Sequence, residues 1–507
     1  LIPVEAAVTL DGLFRERVKR TPDLVAYRAH NESHNNWRDY TWAQINHQVA
    51  RWQAALERDG LKPGDRVAVM LKNSPEWVTY DQAALGLGLV VVPLYTQDRP
   101  DNVAYIISDA GCKVLLIEGT EQWQALSDVK GQLSGLTRIL TVNPVGNPGD
   151  PRLKSLVQWL PESGGETRHV PRDPHALATI VYTSGTTGRP KGVMLSHHNI
   201  LSNAAAGCDV LSVGHDDVFL SFLPLSHTLE RTCGYYLSIM TGSTTAYARS
   251  VLVLGEDLQT MRPTILVSVP RIYERVYGRI RAALDEGPPL KKKLFQLAVE
   301  IGYARFEHAQ GRGPWKPSFL LWPVLNALVA KKILARLGGR MRAALSGGAA
   351  LPPDISRVFT GLGLCVLQGY GLTETSPIVS ANRPDDNVPA SIGKTVPGVQ
   401  VRIGELNALM IKGPNVMLGY WNNPEATQAM IQPDGWLNSG DTARIDGQGH
   451  IFITGRLKEI IVLSNGEKVP PVDIEGAISR DPLFEQVMLL GEGKPYLTVM
   501  TVLNTDQ

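Results

Sequence analysis

The chain has 507 residues, of which 43% are apolar and 20% charged, with a formal net charge of +1. That length exceeds one usual domain, so two or three domains with real cores are expected, and the balanced charge excludes a globally basic nucleic-acid binder. The four cysteines (Cys112, Cys208, Cys233 and Cys365) are widely spaced and form no Cys-x-x-Cys, which speaks against a disulfide scaffold or a zinc site and fits a reducing compartment.

Strand and helix alternate in the N-terminal part. Arg66 to Leu71 reads as a strand after the turn Pro63-Gly64-Asp65, Glu76 to Leu85 as a helix, Leu89 to Leu94 as a strand, Asn102 to Asp109 as a helix and Lys113 to Ile117 as a strand. Such a run predicts a parallel sheet with helices on its faces, whose ligands sit at the carboxyl ends of the strands. No N-terminal stretch joins a basic start, an apolar run and a cleavage site. The expected location is cytoplasmic, with peripheral contact at the inner membrane face left open.

After the strand-like Ala176–Val181 comes Tyr182-Thr183-Ser184-Gly185-Thr186-Thr187-Gly188-Arg189-Pro190-Lys191-Gly192. Glycines let the backbone bring N–H groups close to a ligand, hydroxyls add donors, and Arg189 and Lys191 add charge. Such a loop suits a polyphosphate. It is not a P-loop, because counting from Gly185 the second glycine falls on Pro190 and no Lys-Ser or Lys-Thr follows.

From Pro263 to Arg342 helical content rises and Arg and Lys outnumber Asp and Glu. Lys291-Lys292-Lys293 and an apolar stretch with Trp315, Phe319 and Trp322 lie here. Two readings stand side by side: a patch held on an anionic membrane, or solvated helix faces with the Trp residues in the core. The apolar run Ser318 to Ala330 contains Pro323 and Asn326 and reads as too short to span a bilayer, which takes about 18 or more apolar residues. After Gln400 short strands and Gly-rich turns predict a small β-rich subdomain.

Further runs follow in order: Ser346-Gly347-Gly348-Ala349-Ala350-Leu351, Gln368-Gly369-Tyr370-Gly371-Leu372-Thr373-Glu374-Thr375, Trp436-Leu437-Asn438-Ser439-Gly440-Asp441, and Gly455-Arg456-Leu457-Lys458 leading to Asn465-Gly466-Glu467. Read singly, each has a bland alternative. Gly-Tyr-Gly-Leu-Thr-Glu is a turn into a capped helix, and a lone Asp or Arg on a polar turn is solvated surface. Together, in this order and with the loop at 182–192, they resemble the adenylate-forming superfamily of acyl-CoA synthetases, adenylation domains and beetle luciferases, across essentially the whole chain. Ser439 stands where that family usually has Thr, which keeps the hydroxyl.

The resemblance implies an α/β fold, with a large N-terminal domain of parallel-sheet layers over 1–455, a β-rich subdomain at about 395–455, a hinge at 456–458 and a partial, mobile α+β domain at 459–507. It implies that Thr183, Ser184, Gly185, Thr186, Thr187, Gly188 and Lys191 wrap the outer phosphates of ATP. Gly347, Gly348 and Ala349, with Gln368, Gly369, Tyr370 and Gly371, would form the adenine site, Tyr370 stacking on the ring. Thr373 would bond the α-phosphate and Glu374 would hold Mg2+, a hard cation that favours carboxylate and phosphate oxygens. Asp441 would accept from the ribose hydroxyls and Arg456 would contact the ribose or α-phosphate. Lys458 would be the hinge, and Gly466 would line the coenzyme A tunnel. The C-terminal Lys of that family has no match here, since Lys494 lies in a different context, and no catalytic Lys is assigned.

Leu223-Pro224-Leu225-Ser226-His227-Thr228-Leu229-Glu230-Arg231 and Val267 to Val276 look like the bacterial long-chain fatty acyl-CoA synthetases. His227 would sit near the acyl carboxylate, a core histidine being the competing reading. The gating Trp of some members has no clear match, since Arg231 falls near that spacing, and no gate residue is assigned. The expected reaction joins a long-chain fatty acid to ATP as acyl-adenylate and passes the acyl group to coenzyme A. A fatty acyl-AMP ligase serving a carrier protein and a non-catalytic nucleotide or acyl binder are the rivals. Nucleic acid is not an expected partner, and a homodimer is left open.

Overall fold

The computed structural model describes residues 1–146, 149–183, 188–457, 461–464, 468–469, 471–479, 481 and 483–504. Two large sheets dominate. In the first, eight strands run in the order Gly419–Tyr420, Lys191–Ser196, Leu177–Thr183, Val90–Pro93, Arg66–Met70, Cys112–Ile117, Arg138–Thr141, Leu153–Ser155. It is parallel from Leu177–Thr183 onward and antiparallel at the other end, where Leu177–Thr183 and Lys191–Ser196 form a hairpin. The second sheet has nine strands, with a parallel centre of Val366–Gly371, Ala343–Ser346, Ile265–Ser268, Val218–Ser221 and Thr244–Tyr247.

Side-chain alternation along these strands builds the layers. Val67 and Val69 face one hydrophobic cluster while Ala68 and Met70 face another, and Val114/Leu116 and Leu115/Ile117 divide in the same way. In the second sheet Ile265 and Val267 point to the first cluster and Leu266 to a third. Both faces of each strand are therefore covered, which is why these segments read as unbroken apolar runs instead of alternating ones. The shared cluster lies between the sheets and is filled by Leu13 and Phe14 of helix Leu10–Arg20, Trp77 and Tyr80 of helix Pro75–Gly86, and Ile200 and Ala204 of helix His197–Val210.

Local chemistry starts these helices. Ser74 accepts from the Trp77 N–H with Pro75 in the first turn, and Ser196 and Asn199 form a reciprocal capping box. Gly111, left-handed at φ 61°, closes helix Pro100–Ala110. The three N-terminal strands and two intervening helices stand within a residue or two of the expected bounds.

The β-rich part is an antiparallel sheet of Gln400–Ile403, Ala408–Lys412, Leu437–Ile445 and Ile451–Arg456 around Leu409, Ile411 and Leu437. Beyond it, the described residues form strand pairs Ile461–Val462 with Lys468–Val469 and Phe484–Leu490 with Thr498–Leu503, together with helix Pro471–Ile478.

One expectation is corrected. The apolar run at 318–330 belongs to a longer helical segment, Pro317–Ala335, which is long and apolar enough to cross a membrane by length and composition alone. Pro323 does not break it, because it sits in the first turn of Trp322–Leu325, where its missing N–H leaves no helical bond unmade. Nor are both flanking Trp residues in the core, since Trp315 is exposed.

Candidate active site

Four parallel strands of the second sheet end on one side, and their carboxyl ends supply the site. Val218–Ser221 leads to Pro224 and His227, Ile265–Ser268 to Val269, Ala343–Ser346 to Gly347 and Gly348, and Val366–Gly371 to Thr373 and Glu374. Between them lies a cavity of about 250 Å³. Part of its lining is glycine-rich and polar, from Gly347, Gly348, Gly369 to Glu374 and His227. The rest is apolar and includes the buried Val210, Leu211, Phe219, Cys233, Leu237 and Val267. One cavity thus joins half-buried polar groups to buried apolar ones.

The glycines here have steric reasons. A Cβ on Gly371 would lie 1.9 Å from the Pro377 carbonyl oxygen, and Gly348 has φ +80°. Thr373 and Glu374 occupy a short 3-10 turn in which the Leu372 N–H donates to the Thr375 hydroxyl at 3.0 Å. The Glu374 carboxylate accepts from the Tyr420 hydroxyl at 2.6 Å, and the Lys191 ammonium stands over the Tyr420 ring, 5.3 Å from its centre. Tyr420 reaches this place because Gly419–Tyr420 pairs with the strand that begins at Lys191. The hairpin strand that begins at Lys191 and Glu374 are therefore linked through one phenol. Burial and the Glu374 charge push that phenol's pKa up, so it stays a donor.

The backbone N–H of Leu229 donates to His227 Nδ1 at 3.1 Å. A backbone N–H can only donate, so Nδ1 carries no proton and the proton of the neutral ring is on Nε2. Burial lowers the His227 pKa, which keeps the ring neutral. The segment is fixed by a buried polar cluster. Arg231 pairs with Asp81 at 2.5 Å and donates to the Thr179 hydroxyl at 2.7 Å, and the Tyr236 hydroxyl donates to Asp81 at 2.7 Å. Arg231 thus ties the His227 segment to helix Pro75–Gly86.

Tyr370 donates its hydroxyl to Asp441, whose other oxygen lies 3.2 Å from Arg456 Nε. Asp441 is 5% exposed and follows Gly440 at φ 78°. Its own N–H donates to the Ser439 hydroxyl at 3.1 Å, so Ser serves the turn in the place of Thr. Thr183 pairs with Lys191 across the hairpin and Gly188 is exposed at its tip. Arg189 turns away and stacks on Tyr105, 5.0 Å from the ring centre.

Not every expected residue meets at the cavity. Gln368 accepts from the Leu351 N–H at 3.0 Å and donates to the Pro389 carbonyl, so its amide holds two backbone segments. Ala349 is exposed beside the cavity lining. Ser184, Gly185, Thr186, Thr187, Lys458 and Gly466 lie outside the described residues. Tyr420 and Asp81 were missed in the sequence. Tyr420 is 46 residues from Glu374 and Asp81 is 150 from Arg231, and no local spacing signals either pair.

The AMP-binding enzyme family matches residues 14–421, and the AMP-binding enzyme C-terminal domain matches residues 458–507. A long-chain-fatty-acid–CoA ligase, FadD15 of Mycobacterium bovis, is 31% identical over 97% of this chain and 81% of its own. Among solved structures, ATP-bound MatB of Rhodopseudomonas palustris is similar at TM-score 0.76 and 26% identity, over 98% of this chain and 90% of that one. A Mycobacterium tuberculosis fatty acyl CoA synthetase shares the fold at TM-score 0.71 and 24% identity, over 99% and 89%. The chain belongs to the AMP-binding enzyme family of adenylate-forming enzymes.

Proposed function

We propose that this enzyme is an AMP-forming acyl-CoA ligase whose acid is a long-chain fatty acid. The carrying observation is the cavity. Thr373, Glu374 and His227 share its lining with buried apolar side chains, so an aliphatic chain held against the latter would bring its carboxylate to the polar groups. The similarity to fatty acyl-CoA ligases supports the same reading.

ATP would lie along the loops, with adenine against Gly347, Gly348 and Tyr370, ribose on Asp441 and Arg456, and outer phosphates on the 183–191 hairpin. The acid's carboxylate oxygen attacks the α-phosphorus and pyrophosphate leaves. The sulfur of coenzyme A then attacks the acyl carbon and AMP leaves. The protein's work is positioning and charge placement. His227 Nε2–H would donate to the acyl carboxylate and hold it near Thr373.

The residues present fit Mg2+. Glu374 is a carboxylate in the cavity lining, and no group of three acidic, His or Cys side chains forms a cage among the described residues. This suits a cation bound by one carboxylate and substrate phosphates. When bound there it would offset phosphate charge. Tyr420 holds Glu374 in place for this role. We assign residues 456–458 as the hinge between a domain at 1–455 and the C-terminal part at 459–507, with Lys458 and Gly466 serving rotation and the coenzyme A route.

The test is exchange of labelled pyrophosphate into ATP across acids of graded length, followed by coenzyme A-dependent AMP release. Exchange that does not rise with chain length would overturn the fatty-acid assignment. Exchange without coenzyme A-dependent AMP release would overturn the ligase step.

A further inference from the structure

The helical segment Pro317–Ala335 presents apolar side chains to solvent on one face and to the protein on the other. Leu320 is 74% exposed, Val324 59%, Leu328 50% and Leu321 51%, and three of these recur at four-residue spacing. On the opposite face Phe319 and Leu325 pack against Ala298 and Ile301 of helix Pro289–Ala309. Trp322 lies on Gly302, where a Cβ would come within 2.7 Å of its ring, and Arg305 stands over it at 4.9 Å. Helix Pro289–Ala309 is itself pressed on helix Pro353–Gly361, with Gly302 against the Gly361 carbonyl. The segment is therefore held to the body along its length.

Charge frames the apolar face. Arg312 and Lys316 precede it, beside the exposed Trp315, and Lys331, Lys332 and Arg336 follow it. From 289 to 340 ten Lys and Arg stand against two Glu. Lys292 and Arg312 pair with Asp285 and Glu307. Ion pairs of Lys316, Lys331 and Lys332 are absent among the described residues. An aliphatic strip with a Trp at one end and lysines at both ends matches the layering of a bilayer surface, where chains meet anionic headgroups. Long Lys stems let the ammonium reach the headgroups while the strip sinks.

We propose that this face docks the enzyme on an anionic lipid bilayer, with Pro317–Ala335 lying in the plane of the interface. Spanning is excluded by the packing of its other face on helix Pro289–Ala309.

The experiment uses the full chain and vesicles of phosphatidylcholine alone or mixed with phosphatidylglycerol. Co-sedimentation is expected with the mixed vesicles, weakened by salt and reversed by an alkaline carbonate wash. Leu320→Glu/Val324→Glu is expected to weaken binding at least about tenfold. Lys331→Glu/Lys332→Glu should remove the preference for phosphatidylglycerol by about the same factor. Both variants should keep the wild type's thermal midpoint and its activity on a short, water-soluble acid. Three results would overturn the proposal: equal sedimentation of wild type and Leu320→Glu/Val324→Glu, retention after the carbonate wash, or a self-association of the lipid-free protein that this variant dissolves, which would make the face a contact between two copies.

Discussion

The Tyr420 hydroxyl donates to the Glu374 carboxylate at 2.6 Å while the Lys191 ammonium covers its ring. One side chain thus couples the hairpin proposed to hold the phosphates to the proposed metal carboxylate. A hydrogen bond to a charged group contributes about 1.5–3 kcal/mol. Tyr420→Phe keeps the ring under Lys191 and loses only the hydroxyl. Pyrophosphate release at saturating substrate is expected to fall about tenfold with an unchanged thermal midpoint. A rate equal to that of the wild type would remove Tyr420 from the positioning of Glu374.

The ion pair of Asp81 and Arg231 is buried, with side chains 0% and 2% exposed. Removing one partner leaves an uncompensated charge in the core, which costs about 3–5 kcal/mol. Asp81→Asn should lower the thermal midpoint markedly. Asp81→Asn with Arg231→Met should recover much of that loss, because the stranded charge is gone. A single variant as stable as the wild type would contradict the pairing.

Glu230, which precedes Arg231 in the chain, is fully buried, and one of its carboxyl oxygens has no hydrogen-bond partner among the described residues. Burial pushes its pKa up to about 8, the Ser221 hydroxyl acting against it. The unfolded chain ionises near 4.5 while the folded one keeps its proton until about 8, so the native state binds more protons between these values. Stability from this group is thus lost as pH rises from about 5 to 8. Glu230→Gln should match the wild type near pH 5 and exceed its thermal midpoint by at least about 2 °C near pH 8. A constant difference across that window would refute the shift.

Gly207 lines the apolar part of the cavity, and a Cβ there would meet Leu237 at 3.0 Å and Ile378 at 3.2 Å. Gly207→Val should fill that space. Use of an acid of about sixteen carbons should fall at least about tenfold relative to one of about eight. Measuring kcat/KM for both acids checks this, and an unchanged ratio would place the acyl chain elsewhere.

The parts legible in the sequence were those set by neighbours along the chain. The Val- and Leu-rich runs around 67, 91 and 115 announced covered parallel strands, because burial on both faces leaves no polar position. Gly348, Gly371, Thr373 and Glu374 stood out because turns and close backbone approaches restrict residue type locally. Gln368 shares that run, yet its amide is spent on Leu351 and Pro389, a role no motif reveals.

What the tertiary structure decided were the pairings across long loops. The sequence offered no role for Arg231, and Asp81, 150 residues away, supplies one as its buried partner. The segment at 318–330 read as too short to span a bilayer, with a membrane-held patch and core-packed Trp residues both open, and emerged as part of a 19-residue helical segment with an apolar face turned outward. Periodicity says that a helix has an apolar stripe but not what covers it. Sequence by itself determined the strands, the turns and the chemistry of each loop, because those follow from backbone sterics and local burial. Only the fold decided that Tyr420 meets Glu374 and that His227 shares a cavity with distant apolar side chains, because such contacts depend on where distant chain segments are packed.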